Sequence, residues 1–169
     1  MAESVAARFD TLVQAHGSGV YRLCRAILRD DHLIVRRFHI SLGFEPKFAK
    51  RAKGDLRTPV GEYFISDKNP QSRFRKFLGI SYPNIDDAER GYRRRSIDAE
   101  SWADIFLANA RGRLPPSSTP LGGRIGIHGH GGRPEIGIDW TEGCIAVTDA
   151  EIDFLYPRVP IGTPVIIYE

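Results

Sequence analysis

A histidine and a cysteine stand at the ends of two apolar runs within Ile125–Val147, which reads I-G-I-H-G-H-G-G-R-P-E-I-G-I-D-W-T-E-G-C-I-A-V. An imidazole and a thiol are the base and the nucleophile of one kind of covalent catalysis. A free thiol, with a pKa of about 8.5, is mostly protonated at neutral pH, so a working cysteine needs a base or a positive neighbour. His128 can be that base for Cys144 if the two runs lie side by side as strands, with Gly129–Glu142 as the loop between them. The second ring nitrogen of such a histidine is ordinarily fixed by an acceptor. The Gly129 carbonyl and the Asp139 carboxylate are the candidates. Gly143 lets backbone amides approach a developing oxyanion closely. The competing reading of the same residues is a buried cysteine and a core histidine on neighbouring strands.

Two other chemistries can be weighed on this stretch. His128-x-His130 with Cys144 offers zinc-type ligands, but a second paired motif and a clear fourth ligand are missing. The run Gly129–Gly132 is not followed by the Lys-Ser/Thr pair and helix of a phosphate-binding loop. The other cysteine, Cys24, lies in the apolar segment Val20–Leu28 and reads as a small buried hydrophobe. Nothing in the sequence demands a disulfide between the two.

The elements that must position the pair follow from periodicity. Ser4–His16 has Val5, Phe9, Leu12 and Val13 at helical spacing and predicts a short amphipathic helix stopped by Gly17, in an extension covering residues 1–18. Val20–Leu28 and Leu33–Leu42 predict strands joined by a turn at Arg29-Asp30-Asp31; Phe38, Ile40 and Leu42 alternate with Arg37, His39 and Ser41, the pattern of a half-buried strand. Gly43–Lys53 reads as a polar loop and Lys53–Gly61 as a turn, followed by a strand at Glu62–Ser66, a loop at Asp67–Arg75 and a strand at Phe77–Ser81. Ile85–Arg95 and Asp98–Arg111 predict helices, the second with a broad apolar face. After a Pro/Ser/Gly loop at Leu114–Gly123 come strands at Arg124–His128 and Gly143–Val147. A capping box, Thr148 with Glu151, opens a last short helix that Pro157 stops, and Val165–Tyr168 is the final strand. Many short strands with inserted helices predict a mainly β, mixed α+β fold, a sandwich or open barrel.

Bulk properties narrow the function classes. A chain of 169 residues, 41% apolar and 27% charged, fits one globular domain with a real core. The net charge of +3 is small and scattered. Arg93-Arg94-Arg95 reads as a solvated helix face, so no nucleic-acid partner is expected. No run reaches the roughly 18 apolar residues of a membrane span, and the N-terminus lacks a basic-then-apolar signal pattern.

His128-Gly129, the loop after it and Thr141-Glu142-Gly143-Cys144 together resemble the active-site signature of the YkuD-type L,D-transpeptidases, which carry His-Gly, a loop of similar length and Ser/Thr-His-Gly-Cys. Arg57-Thr58-Pro59-Val60-Gly61 looks like the T-P-x-G turn of that family, and Leu33–Gly43 like its second strand. Asp139–Thr148 is similar to the form seen in the YafK-like branch. The resemblance runs from about Val20 to the C-terminus and makes residues 19–169 the catalytic domain. It implies a β-rich enzyme of the cell envelope or periplasm acting on diaminopimelate-containing peptidoglycan stem peptides, without metal or organic cofactor. Cys144 would be the nucleophile, His128 the general base, the Gly129 carbonyl its orienter, and the amides of Gly143 and Cys144 the oxyanion donors. A wall-anchored protein is a further partner, as acyl acceptor or substrate.

Two departures bear on the reaction. The histidine usual two places before the cysteine is Glu142, and the arginine usual two places after it is Ala146. A bidentate arginine–carboxylate contact cannot be replaced by a methyl group, so another cation must stand in, with Arg124, Arg133 or Arg57 as candidates. Arg124, Arg133, Trp140, Thr141 and Tyr82 are the expected substrate contacts, and the two helices after Tyr82 a lid. Acyl transfer is the leading expectation. A hydrolase of the same family (a carboxypeptidase, or an amidase freeing an anchored protein) and a non-catalytic wall-binding domain are the alternatives.

Overall fold

A computed structural model describes residues 11–14, 23–30, 32–133 and 138–168, with side chains described from Phe38 onward. In chain order the elements are β1 (Thr11–Gln14), β2 (Leu23–Asp30), β3 (His32–His39), β4 (Gly61–Ser72), β5 (Arg75–Ile80), α1 (Ile85–Arg93), α2 (Ala99–Ala110), β6 (Gly126–His128), β7 (Ile145–Ala146), α3 (Asp149–Leu155) and β8 (Pro164–Tyr168). The strands form one eight-stranded sheet in the order β3-β2-β1-β8-β4-β5-β6-β7.

The two ends of that sheet meet. Ser41, just beyond β3, bridges Ala146 in β7 through amide–carbonyl bonds of 2.9 and 2.8 Å, and Gly43 bridges Thr141. Ladder bonds at both ends leave little free edge, so the sheet curls into a nearly closed barrel. Of the sandwich and the open barrel expected for a mainly β, mixed α+β chain, the curled, barrel-like form is the one observed. Phe38, Ile40 and Leu42 point into the core as their alternation requires. They meet Ile65, Leu78, Ile80, Ile127, Ile145, Val147, Ile152 and Val165 there. Ser41, on the polar side of the alternation, is also buried, because β7 covers it.

The helix expected over Ser4–His16 is a strand where the structure describes it. Thr11–Gln14 pairs antiparallel with β2 and parallel with β8, so these residues share the sheet with the rest of the chain. Two neighbouring strands offer the backbone a ladder on both sides, and such tertiary pairing overrides the weak helical preference of a short segment. The rest of Ser4–His16 lies outside the described residues, as does Asp31 of the expected turn; the side chain of Cys24 does too. A second difference is the stretch Asp67–Arg75, read as a loop. β4 continues through it to Ser72, with register irregularities between Ile65 and Asp67 and between Asn69 and Ser72. Bulges let a strand carry polar residues and Pro70 without ending, so composition alone suggested a loop.

The helices begin where their caps predict. Asn84 and Asp87 form a capping box on α1, Asp98 caps α2, and Thr148 with Glu151 forms the capping box of α3. The insertion holding α1 and α2 has its own small core of Ala88, Ile97, Ile105 and Leu121 with Trp102. Buried bonds fasten it to β4: Asn84 donates to the Glu62 carbonyl at 2.9 Å, and the Tyr63 hydroxyl donates to Asp87 at 3.0 Å.

Candidate active site

Strands β6 and β7 lie parallel and adjacent, with Ile127 opposite Ile145 and His128 opposite Ala146. Ile127 and Ile145 face the core. Side chains alternate across a strand, so His128 and Cys144, each one residue from those isoleucines, share the opposite face as a diagonal pair. The two runs read from the sequence therefore do bring the imidazole and the thiol to one surface of one strand pair.

His128 is only 2% exposed. Its Nδ1 lies 2.7 Å from the Gly129 carbonyl. A carbonyl can only accept, so Nδ1 carries the proton and Nε2 holds the lone pair, the tautomer a general base needs. Of the two acceptors weighed for this role, Gly129 takes it, while Asp139 accepts the Leu42 amide at 2.7 Å. The ring is walled by aromatics: Phe74 stacks on it at 4.4 Å between centroids, Phe77 lies at 6.4 Å, and Trp140 meets it edge-on at 5.8 Å. Burial lowers the proton affinity of His128, the Gly129 bond opposes that, and the charges of His130 and Arg73 add to the lowering. The imidazole is thus held neutral.

Cys144 is a free, half-buried thiol. Its Sγ lies 3.7 Å from the Arg124 carbonyl, which accepts the thiol proton. Burial pushes its pKa up to about 11, while a Gly126 amide bond and the charges of Lys50 and Arg73 pull it down and Glu142 raises it. With the thiol's pKa raised and the imidazole's lowered, both groups rest uncharged at neutral pH.

The turn before Cys144 is tightly built. Gly143 has φ +129°, and a Cβ there would stand 2.5 Å from the Arg57 carbonyl oxygen, so only glycine fits. The Thr141 hydroxyl accepts the Gly143 amide at 3.1 Å and donates to the Cys144 carbonyl at 2.7 Å. The Gly143 amide is bonded to Thr141, and the Thr141 hydroxyl, used in both directions, clamps the turn that leads to Cys144. Tyr82, named above as a substrate contact, is 1% exposed, and its hydroxyl donates to the Leu121 carbonyl at 3.1 Å, so it belongs to the interior.

The remaining expected contacts gather at the surface of the site. Arg124 is exposed beside the thiol with φ +57°. Trp140 is half-buried, and Arg133 lies over its ring at 4.5 Å from the centroid. Ala146 is fully buried and bonded on one side to Ser41, so no cation comes from that position. Thr58 serves the structure, accepting the Gly43 amide at 2.8 Å. Arg57 is half-buried, with its guanidinium 5.1 Å from the Phe48 ring centroid. His130 turns Nδ1 to the Arg133 carbonyl at 3.2 Å. Among the described residues, no group of three or more His, Cys, Asp or Glu is arranged to hold a metal.

Sequence reading missed several contributors. Phe74, at the tip of the β4–β5 hairpin, presents its ring to His128 and its carbonyl to the Gly129 amide at 3.0 Å. Asp149 accepts the Gly131 and Gly132 amides at 3.0 and 3.2 Å and pins the loop after the histidine. Lys50 is 5% exposed, paired with Asp55 at 2.7 Å, and lends its charge to the thiol. Loop composition gave no sign of Phe74 or Lys50. The acidic first turn of α3 was the available hint for Asp149.

The site thus combines a histidine oriented by a backbone carbonyl with a free thiol beside two adjacent strands at one end of the curled sheet. Residues 22–167 match the family model described as YkuD, L,D-transpeptidase catalytic domain, and the chain belongs to that family. Among solved structures, the helical cell shape determining protein Pgp2 from Campylobacter jejuni aligns with TM-score 0.58 and 22% identity over 96% of this chain and 48% of that one. A point mutant of the same protein aligns with TM-score 0.61 and 21% identity over 96% and 47%. Bd1075 from Bdellovibrio bacteriovorus aligns with TM-score 0.53 and 16% identity over 99% and 50%. These likenesses are of fold, and the chain spans about half the length of the solved structures it matches. A search of the curated proteins found no match. Among the described residues, no helix is long and apolar enough to cross a membrane.

Proposed function

We propose that this domain is a cysteine-dependent L,D-transpeptidase acting on diaminopimelate-containing peptidoglycan stem peptides in the cell envelope. The observation that carries the reading is the Gly129 carbonyl at 2.7 Å from His128 Nδ1, which leaves Nε2 as the basic nitrogen on a strand paired with the one that follows Cys144. The Cys144 proton passes to Nε2 as sulfur attacks the carbonyl of the peptide bond between the L-centre of diaminopimelate and a D-amino acid. The Cys144 amide receives the oxyanion. His128 returns the proton to the leaving amine, the C–N bond breaks, and a D-amino acid departs, leaving a thioester. An acceptor amine then attacks the thioester, His128 takes its proton, and the thiol is restored with a new amide bond.

Hydrolysis is the second reading, favoured by exposed Glu142, whose charge opposes the thiolate, and by buried Ala146 in the usual arginine position. Water would then replace the amine, as in a carboxypeptidase or in an amidase freeing a wall-anchored protein. Incubation with disaccharide tetrapeptides, read by mass spectrometry, separates the readings. Crosslinked dimers and a Cys144-dependent acyl adduct support transfer. Tripeptide without dimer supports hydrolysis. Unchanged substrate with no adduct would leave a non-catalytic wall-binding domain and overturn both.

A further inference from the structure

Two arginines at this site have no part in the steps above. Arg73, exposed at the tip of the β4–β5 hairpin, lies against the Phe74 ring at 4.6 Å from its centroid, and Phe74 in turn stacks on His128. Arg133 lies against Trp140 at 4.5 Å, and Trp140 meets both His128 and Phe74 edge-on. Two guanidiniums therefore bracket the aromatic wall of the imidazole. Neither is in an ion pair with another described residue. A guanidinium held over a ring face by cation–π attraction can still offer N–H groups to a carboxylate in two parallel bonds.

We propose that Arg73 and Arg133 are the carboxylate-recognition pair of this site, and that the ligand they select is an acidic peptide. The proposal rests on the acyl-transfer reading for the location of the reacting peptide, and it supplies the cation that Ala146 cannot. Arg73 sits over Phe74, whose ring stacks on His128 at 4.4 Å, so a carboxylate gripped by Arg73 lies one aromatic ring away from the imidazole. Arg73 comes from a hairpin distant in sequence from the His-Gly and Gly-Cys motifs, which is why the motif comparison alone did not point to it.

Binding without turnover tests this. Cys144→Ala protein is titrated calorimetrically at low salt with L-Ala-γ-D-Glu-diaminopimelate-D-Ala carrying free carboxylates, and with the same peptide carrying primary amides. The acid form is expected to bind at least ~10-fold tighter. Arg73→Gln and Arg133→Gln are each expected to weaken the acid form by roughly 10-fold and leave the amide form unchanged, the loss expected of a charge-assisted contact. Arg73→Lys should recover only part, since it keeps the charge and loses the fork. Unchanged amide binding also verifies that the variants fold. Equal binding of acid and amide, no binding of either, or an Arg73→Gln variant that binds the acid form like its parent overturns the pair. Failure of the acyl-transfer reading is read separately, from the wild-type products.

Discussion

The Arg57 carbonyl oxygen occupies the space into which a Gly143 side chain would grow, 2.5 Å from where its Cβ would stand. Two segments far apart in sequence, the turn at Arg57–Gly61 and the turn before Cys144, are thus packed backbone to backbone. That contact sets the position of Cys144, and the first prediction follows from it. Gly143→Ala meets both the carbonyl and a φ of +129°, a conformation costing a residue with a side chain about 1–3 kcal/mol. Misplacement of the thiol should lower kcat/KM by roughly 10²-fold. Thermal unfolding and turnover measured together check this, and a variant matching wild type in both would show that the turn is loosely held.

Thr141 holds the same turn from the other side. Thr141→Val leaves the buried Gly143 amide without its acceptor, a loss of about 1–3 kcal/mol, while Thr141→Ser keeps the oxygen and should stay near wild type. Equal unfolding midpoints for the two variants would remove the clamp from the account.

Cys144 should titrate late. Burial pushes its pKa up to about 11, so alkylation by iodoacetamide should keep accelerating between pH 8 and 10, where an ordinary thiol of about 8.5 levels off. A native thiol that holds its proton more tightly than the unfolded chain does adds stability below the unfolded value and loses it as pH rises toward 11. A plateau in the alkylation rate near pH 7 would mean a preformed thiolate–imidazolium pair.

His128 has the opposite linkage. Its native proton affinity is lowered by burial, so the unfolded chain binds the proton first and wild-type stability falls as pH drops below about 6.5. His128→Gln cannot take up that proton. Its stability should change less between pH 7 and pH 5 than that of wild type in urea unfolding at each pH; parallel curves would contradict a neutral buried imidazole.

Asp149→Ala releases the Gly131 and Gly132 amides from their acceptor. Stability should fall by about 1–2 kcal/mol for the lost charged hydrogen bonds, and kcat more than KM, because the loop also carries the Gly129 carbonyl that orients His128. An unchanged kcat would confine Asp149 to holding the Gly131–Gly132 loop against the first turn of α3.

Much of this architecture was legible from local signals. Phe38, Ile40 and Leu42 alternate into the core because pleating repeats every two residues. Thr148 and Glu151 form their capping box because the bonds involved span a single turn. His128 and Cys144 were found because strand ends and their chemistry are written within one short stretch. By itself, then, the sequence determined the strands around the site, the helix starts and which histidine and cysteine those strands carry.

Tertiary structure decided the rest, since those contacts join segments that share no local pattern. Thr11–Gln14 is a strand because β2 and β8 offer it partners. Phe74 reaches His128 because a long bulged hairpin folds its tip over β6. Lys50 is buried because Asp55 meets it there, and Tyr82 turns inward because the Leu121 carbonyl can take its proton. Periodicity and capping act over a few residues, whereas a side chain's surroundings depend on which distant strands the sheet brings beside it. For that reason the histidine and the cysteine could be read from the chain, whereas the Phe74 wall, the Thr141 clamp and the buried Lys50 around them could not.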